Sequence, residues 1–174
     1  MRISCAKFEK VSFEQFKKDV KKTLNLVEDD VIREMYDNVK IPTRATAGSA
    51  GYDFVTPIEL TLSAGRTALI PSGIRVKMDP NWVLIMAPRS GQGFKYRIQL
   101  DNTIGVIDSD YYGSDNEGHI MIKLTNDSKT DSLDKILHVD AGNAVCQGIF
   151  LPFGVTEDDN AVAIRNGGFG STSC

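Results

Sequence analysis

The sequence predicts a mainly β domain of the sandwich or barrel kind, preceded by a helical hairpin and followed by a flexible arm. Three observations carry that prediction. Short apolar runs broken by turn residues fill the chain from Ile41 onward, helical periodicity is confined to the residues before it, and the C-terminus is too rich in glycine to pack. A length of 174 residues suits one domain with additions, so the expected division is a helical extension at 1–40, a β domain at 41–164 and an arm at 165–174.

In the extension, Phe13, Phe16, Val20, Leu24 and Val27 recur at helical spacing, with Lys17, Lys18, Lys21 and Lys22 on the other side. Ser12 with Gln15 three residues on reads as a capping box. A second helix is expected from Asp29 or Asp30, using Val31, Ile32, Met35 and Val39. Beyond Ile41 strands are expected at 52–56, 58–62, 67–70, 74–78 and 82–86, separated by turn residues such as Pro57, Gly65, Gly73 and Pro80. Further strands are expected at 97–100, 103–107, 119–124, 136–139, 145–153 and 161–164. No helical period interrupts them, which argues against a βαβ nucleotide fold.

Composition removes several function classes. With 41% hydrophobic residues, 25% charged residues and a net charge of -3, the chain has no field suited to nucleic acid. It carries no signal-like segment and no apolar run that would span a bilayer, so a cytoplasmic protein is expected, with no membrane partner. Cys5, Cys146 and Cys174 are too scattered for a disulfide framework. Two histidines, His119 and His138, leave little material for a triad or a multi-histidine zinc site, so any metal is expected to be a hard cation on oxygen ligands.

Five segments concentrate chemistry at loop positions. In Gly-Val-Ile-Asp-Ser-Asp-Tyr-Tyr-Gly at 105–113, an apolar strand delivers Asp108 to a turn. That carboxylate is either a turn cap or, held by apolar neighbours, a general base tuned by burial. Gly48 to Asp53 reads as a close-approach turn, and Ala87-Pro88-Arg89-Ser90-Gly91 as an anion cradle or an arginine-bearing turn. Gln147 inside an apolar strand must find partners, in backbone or in a ligand. The terminal segment places Arg165, Phe169 and hydroxyls on a glycine-rich arm suited to closing over a ligand.

Taken together, Gly-Ser-Ala-Gly-Tyr-Asp at 48–53, Pro-Arg-Ser-Gly at 88–91, Gly-Val-Ile-Asp-Ser-Asp-Tyr at 105–111, Gly-Asn-Ala-Val-Cys-Gln at 142–147 and Gly-Gly-Phe-Gly-Ser-Thr at 167–172 resemble the five ordered motifs of the trimeric dUTPases. The resemblance implies a jelly-roll-like β-clip fold and a homotrimer with shared active sites. It also implies magnesium-assisted hydrolysis of dUTP to dUMP and pyrophosphate, which limits uracil in DNA and supplies dUMP for thymidylate synthesis. By the same resemblance Asp108 activates the attacking water, and Tyr111 stacks under the deoxyribose and excludes a 2′-hydroxyl. Asn102, with the backbone of Gly105, Val106, Ile107 and Met121, reads uracil. Arg89, Ser90, Gly91 and Gln147 contact the phosphates. Asp53 supports the water shell of Mg2+, and Arg165, Phe169 and Gly170 form the lid.

The chain departs from the family pattern in four places. Residues 114–117 are inserted after Tyr-Tyr-Gly, and Ala144 and Cys146 stand where many members carry Arg and Ala. The Arg165 to Phe169 spacing is one residue short, and the residues before Ile41 have no counterpart in the minimal fold. Two other readings stand beside dUTP hydrolysis. One is a dCTP deaminase on the same fold, for which Glu117 is a poor catalytic candidate. The other is a nucleotide-binding regulatory protein that meets a protein partner through the N-terminal helices or the 114–117 insertion.

Overall fold

The computed structural model describes residues 3–25, 28–130 and 132–167. The chain opens on a strand rather than a helix. Strand β1 (Ala6–Lys10) pairs antiparallel with β6 (Ile74–Met78), matching Phe8 to Val76. Its alternation sends Phe8 inward, where the ring meets Tyr52 and Phe54 at centroid distances of 5.4 Å. The expected helical hairpin follows as α1 (Phe13–Leu24) and α2 (Asp29–Asp37). Ser12 caps α1 through its hydroxyl oxygen, which accepts from the Gln15 amide at 3.1 Å. The return half of the capping box comes from elsewhere, because the Ser12 amide donates to Glu117 at 2.7 Å. Phe16 and Val20 of α1 and Ile32 of α2 are fully buried and belong to the same core as the strands. Val31 is exposed, and Val27 lies outside the described residues.

The remaining strands are β2 (Thr43–Arg44), β3 (Tyr52–Val55), β4 (Leu60–Leu62), β5 (Thr67–Pro71), β7 (Trp82–Pro88), β8 (Ile98–Leu100), β9 (Gly105–Ile107), β10 (Met121–Asn126), β11 (Leu137–Val139) and β12 (Ala144–Pro152). They form a five-stranded sheet ordered β2-β3-β12-β7-β9, a three-stranded sheet ordered β5-β10-β8, and the pairs β1-β6 and β11-β4. Every pairing is antiparallel, as a mainly β fold built from short connections requires. Among the described residues no helix is long and apolar enough to cross a membrane.

Four expectations are corrected. Residues 161–164 form no strand: Val162 and Ile164 are 91% and 87% exposed, and alternation makes a strand only where an edge is available to pair. A helix, α3 (Ser90–Tyr96), interrupts the β pattern after β7. It has no buried residue and contains Gly91 and Gly93, so it has no apolar period to reveal it. Arg97, expected to open a strand, is instead the left-handed C-cap of α3, and Thr103, with φ of 66°, turns the chain before β9 starts at Gly105.

Candidate active site

Sheet register assembles the phosphate-type residues. Asp53 on β3 stands opposite Gln147 on β12, which stands opposite Ala87 on β7, so Arg89 emerges just beyond the same row. Arg89 pairs with Asp53 at 3.3 Å, and Ser90 and Gly91 follow in the first turn of α3, where no preceding turn accepts from the amides. These residues line a cleft of about 340 Å³ together with Ser49, Gly51 and Gln92. Gln147 donates its amide to the Pro88 carbonyl at 3.1 Å, so this partly buried amide is anchored by backbone while its residue still lines the cleft. Cys146 is fully buried; burial, with the charge of Asp53 adding to it, raises its thiol pKa well above the ordinary value. It stays a neutral thiol and a packing residue.

A larger cleft of about 780 Å³ gathers the nucleoside-type residues Asn102, Gly105, Ile107 and Met121. Gly105 is required there, since a Cβ on it would come within 2.9 Å of the Met86 side chain that it faces across β7 and β9. Val106 points the other way and is exposed, so any contact from it comes through backbone. Among the described residues the two clefts have no lining residue in common, and Asp108, Tyr111 and Arg165 line neither.

Between the expected chemistry and the observed turn there are differences. Asp108 opens a 3₁₀ turn (Ser109–Gly113), but its side chain is 47% exposed, so apolar walls do not hold it as expected. Its neighbour is a cation. Arg165 pairs with Asp108 and reaches Asp110 at 3.0 Å, within the same chain. Tyr111 is 4% exposed, and its hydroxyl donates to the His119 carbonyl at 2.8 Å, with burial raising its pKa. Phe169 and Gly170 lie outside the described residues.

Sequence reasoning missed the wall that α1 contributes to the larger cleft, where Gln15, Lys18, Asp19 and Lys22 face Asn102 and Met121. The i, i+3, i+4, i+7 spacing of that face was legible, but its destination was not. Gln92, whose buried Oε1 has no hydrogen-bond partner among the described residues, was missed as well because α3 was missed. Glu117 lines neither cleft and instead binds Ser12, which removes the residue a deaminase reading would need.

Comparisons with known proteins bear on the family of the chain. The dUTPase family model matches residues 37–173. The deoxyuridine 5'-triphosphate nucleotidohydrolase of Glaesserella parasuis is 44% identical over 138 residues, covering 75% of this chain and 85% of its own. The crystal structure of a dUTPase from Streptococcus mutans is 30% identical, covers 86% of this chain and 98% of its own, and superposes with a TM-score of 0.61. A mutant dUTPase from phage phi11 of S. aureus, whose structure details the coordination of a structural Mg(II) ion, shares the fold at 19% identity and a TM-score of 0.58, covering 74% of this chain and 94% of its own. Motif order, fold and relatives converge, and the chain belongs to the dUTPase family.

Proposed function

We infer that the chain hydrolyses dUTP to dUMP and pyrophosphate as a homotrimer whose active sites are each shared between subunits. The observation that carries this reading is the separation of Arg89, Ser90, Gly91 and Gln147 in one cleft from Asn102, Gly105, Ile107 and Met121 in another, with no described lining residue in common. One nucleotide must engage both, and a neighbouring subunit's phosphate cleft placed against the nucleoside cleft completes the site. Exposed Ile104 and Val106 beside the nucleoside cleft and Phe94 on α3 supply apolar surface for such an interface.

In this reading Asn102 and the backbone of Gly105, Val106, Ile107 and Met121 read uracil, and Tyr111 is the fixed ring beneath the sugar. Arg89, Ser90, Gly91 and Gln147 hold the phosphates. Asp108 accepts a proton from water as its oxygen attacks the α-phosphorus, and the bond to the bridging oxygen breaks so that pyrophosphate leaves. Half-exposed Asp108 reaches water directly once Arg165 transfers from it to a phosphate. Arg165, Phe169 and Gly170 then close over the nucleotide.

The oxygen donors present suit Mg2+. No group of three or more His, Cys, Asp or Glu side chains among the described residues forms a metal cage. Asp53 and the orphaned Oε1 of Gln92 instead offer hard acceptors to the water shell of an ion held mainly by phosphates. When bound, Mg2+ would neutralise phosphate charge and fix the conformation of the triphosphate.

The test is pyrophosphate release from dUTP, dCTP, dTTP and UTP with Mg2+, expected for dUTP, with ammonia release from dCTP as the deaminase outcome. Subunit sharing is tested by mixing Asp108→Asn with Arg89→Ala protein after dissociation. Hybrid trimers regain activity if the two residues serve one site from different subunits, whereas an inactive mixture places both in one subunit.

A further inference from the structure

The N-terminal helix is tied to the turn that carries Tyr111 by a defined hydrogen-bond relay. The Gly73 amide donates to Nε2 of fully buried His119 at 2.8 Å, so that nitrogen is an acceptor and Nδ1 carries the proton. Nδ1–H therefore donates to the Asp19 carboxylate of α1 at 2.6 Å, and Asp19 also accepts from Gln15 at 2.7 Å. The backbone of His119 continues the relay to Tyr111. Its carbonyl accepts from the Tyr111 hydroxyl at 2.8 Å, and Asn116 donates to that hydroxyl at 2.8 Å. Asp19 and Asn116 both line the nucleoside cleft.

We propose that Asp19 is a positioning residue of the nucleotide site: acting through His119, it holds the 109–119 turn and Tyr111 in the register that admits deoxyribose and rejects ribose. The inference rests on the reading of the larger cleft as the nucleoside pocket. An element outside the minimal fold thereby becomes part of substrate discrimination. Two adjacent bonds make the same connection, since Glu117 accepts from the Ser12 amide at 2.7 Å and Tyr112 donates to Glu9 at 2.8 Å. Those bonds hold Tyr112 and Glu117, which line neither cleft, while the Asp19–His119 bond holds the stretch between Asn116 and Ile120, which both line the larger one.

The experiment compares wild type, Asp19→Ala and Asp19→Asn on dUTP and UTP. Asn keeps an oxygen that accepts from Nδ1–H, so it is expected to stay within about threefold of wild type, whereas Ala is expected to raise KM for dUTP and reduce dUTP-over-UTP selectivity, each roughly tenfold. Loss of kcat on both substrates with selectivity unchanged would make the relay merely structural and overturn the proposal, as would wild-type kinetics in Asp19→Ala. Lys17→Ala, which removes an α1 contact to Asp29 outside the cleft, controls for general loosening of the helix. If Asp19→Ala does not fold, nitrogen NMR of the wild-type imidazole decides: an Nδ1–H tautomer whose signals move on saturation with dUMP is expected, and an unmoved spectrum overturns the proposal. A wild-type protein that releases no pyrophosphate from dUTP would sink the functional reading instead.

Discussion

The Arg165 guanidinium lies against the turn it is expected to help, pairing with Asp108 and standing 3.0 Å from Asp110. Both carboxylates are about half exposed, and ion pairs in such settings contribute only about 0–1 kcal/mol. A nucleotide phosphate therefore competes easily for the guanidinium, with bidentate geometry in its favour. Arg165→Ala is expected to shift Tm by no more than about 4 °C while lowering kcat/KM on dUTP roughly tenfold or more. Kinetics equal to wild type would remove Arg165 from the site.

Asp108→Asn is expected to abolish turnover while dUTP binding, measured by titration calorimetry, stays within about threefold, because an amide fills the same space but takes no proton. Affinity lost in step with rate would assign Asp108 to binding.

Tyr111→Ala is expected to admit UTP, measured as a fall in the dUTP:UTP ratio of kcat/KM, since the ring's bulk is what rejects a 2′-hydroxyl. Burial of Tyr111 means the variant also loses stability, so the ratio and not the absolute rate is the reading that counts. An unchanged ratio would withdraw the sugar assignment.

Phe16→Ala is expected to destabilise the whole domain by about 3–5 kcal/mol, as for a fully buried ring in a shared core. Phe16 packs on His119 at a centroid distance of 6.1 Å, so its loss is felt beyond the helices. Denaturant melts should show one transition at lower midpoint; two separate transitions would mean that the 1–40 segment folds as its own unit.

Acid should release the same contacts selectively. Glu9 is held below its ordinary value of 4.5 chiefly by the Tyr112 hydroxyl, with Lys7 and Arg75 adding. At Asp19, burial pulls upward, but hydrogen bonds from His119 and Gln15 outweigh it, and the carboxyl falls below 3.8. At Glu117 burial again opposes, and the Ser12 bonds with the Arg75 charge win, below 4.5. Depressed folded values mean that the unfolded chain takes up protons first as pH falls, so this stabilisation is complete above the ordinary values and lost below them. Tm is expected to hold down to about pH 5 and then fall, with a shallower fall in Glu117→Gln. An identical slope in that variant would show that the turn contributes nothing to acid stability.

What was legible in the chain was local. Ser12 announced the start of α1, and strand limits from β3 through β7 followed from Pro and Gly punctuation within a residue or two. β1 escaped because its five-residue alternation abuts a stronger helical period, and α3 because its glycines bury nothing. At the site, the register of β3, β12 and β7 brings Asp53, Gln147 and Arg89 to one cleft. The exposed setting of Asp108 and the α1 wall depend on contacts between residues more than fifty positions apart, which no local period encodes.

That distance has a consequence for how the chain leaves the ribosome. Glu117 and His119 follow their α1 partners by 105 and 100 residues. At roughly 5–20 residues per second, α1 waits several seconds in a nascent chain with its first turn half capped and Phe16 and Val20 uncovered. Contacts of such sequence separation are slow to close, so the N-terminal helices are captured late, after the central strands have emerged. A chaperone that shields short amphipathic segments would therefore find its target at the beginning of this protein, and mutations at Glu117 would lower its yield in cells before they changed its rate in a cuvette.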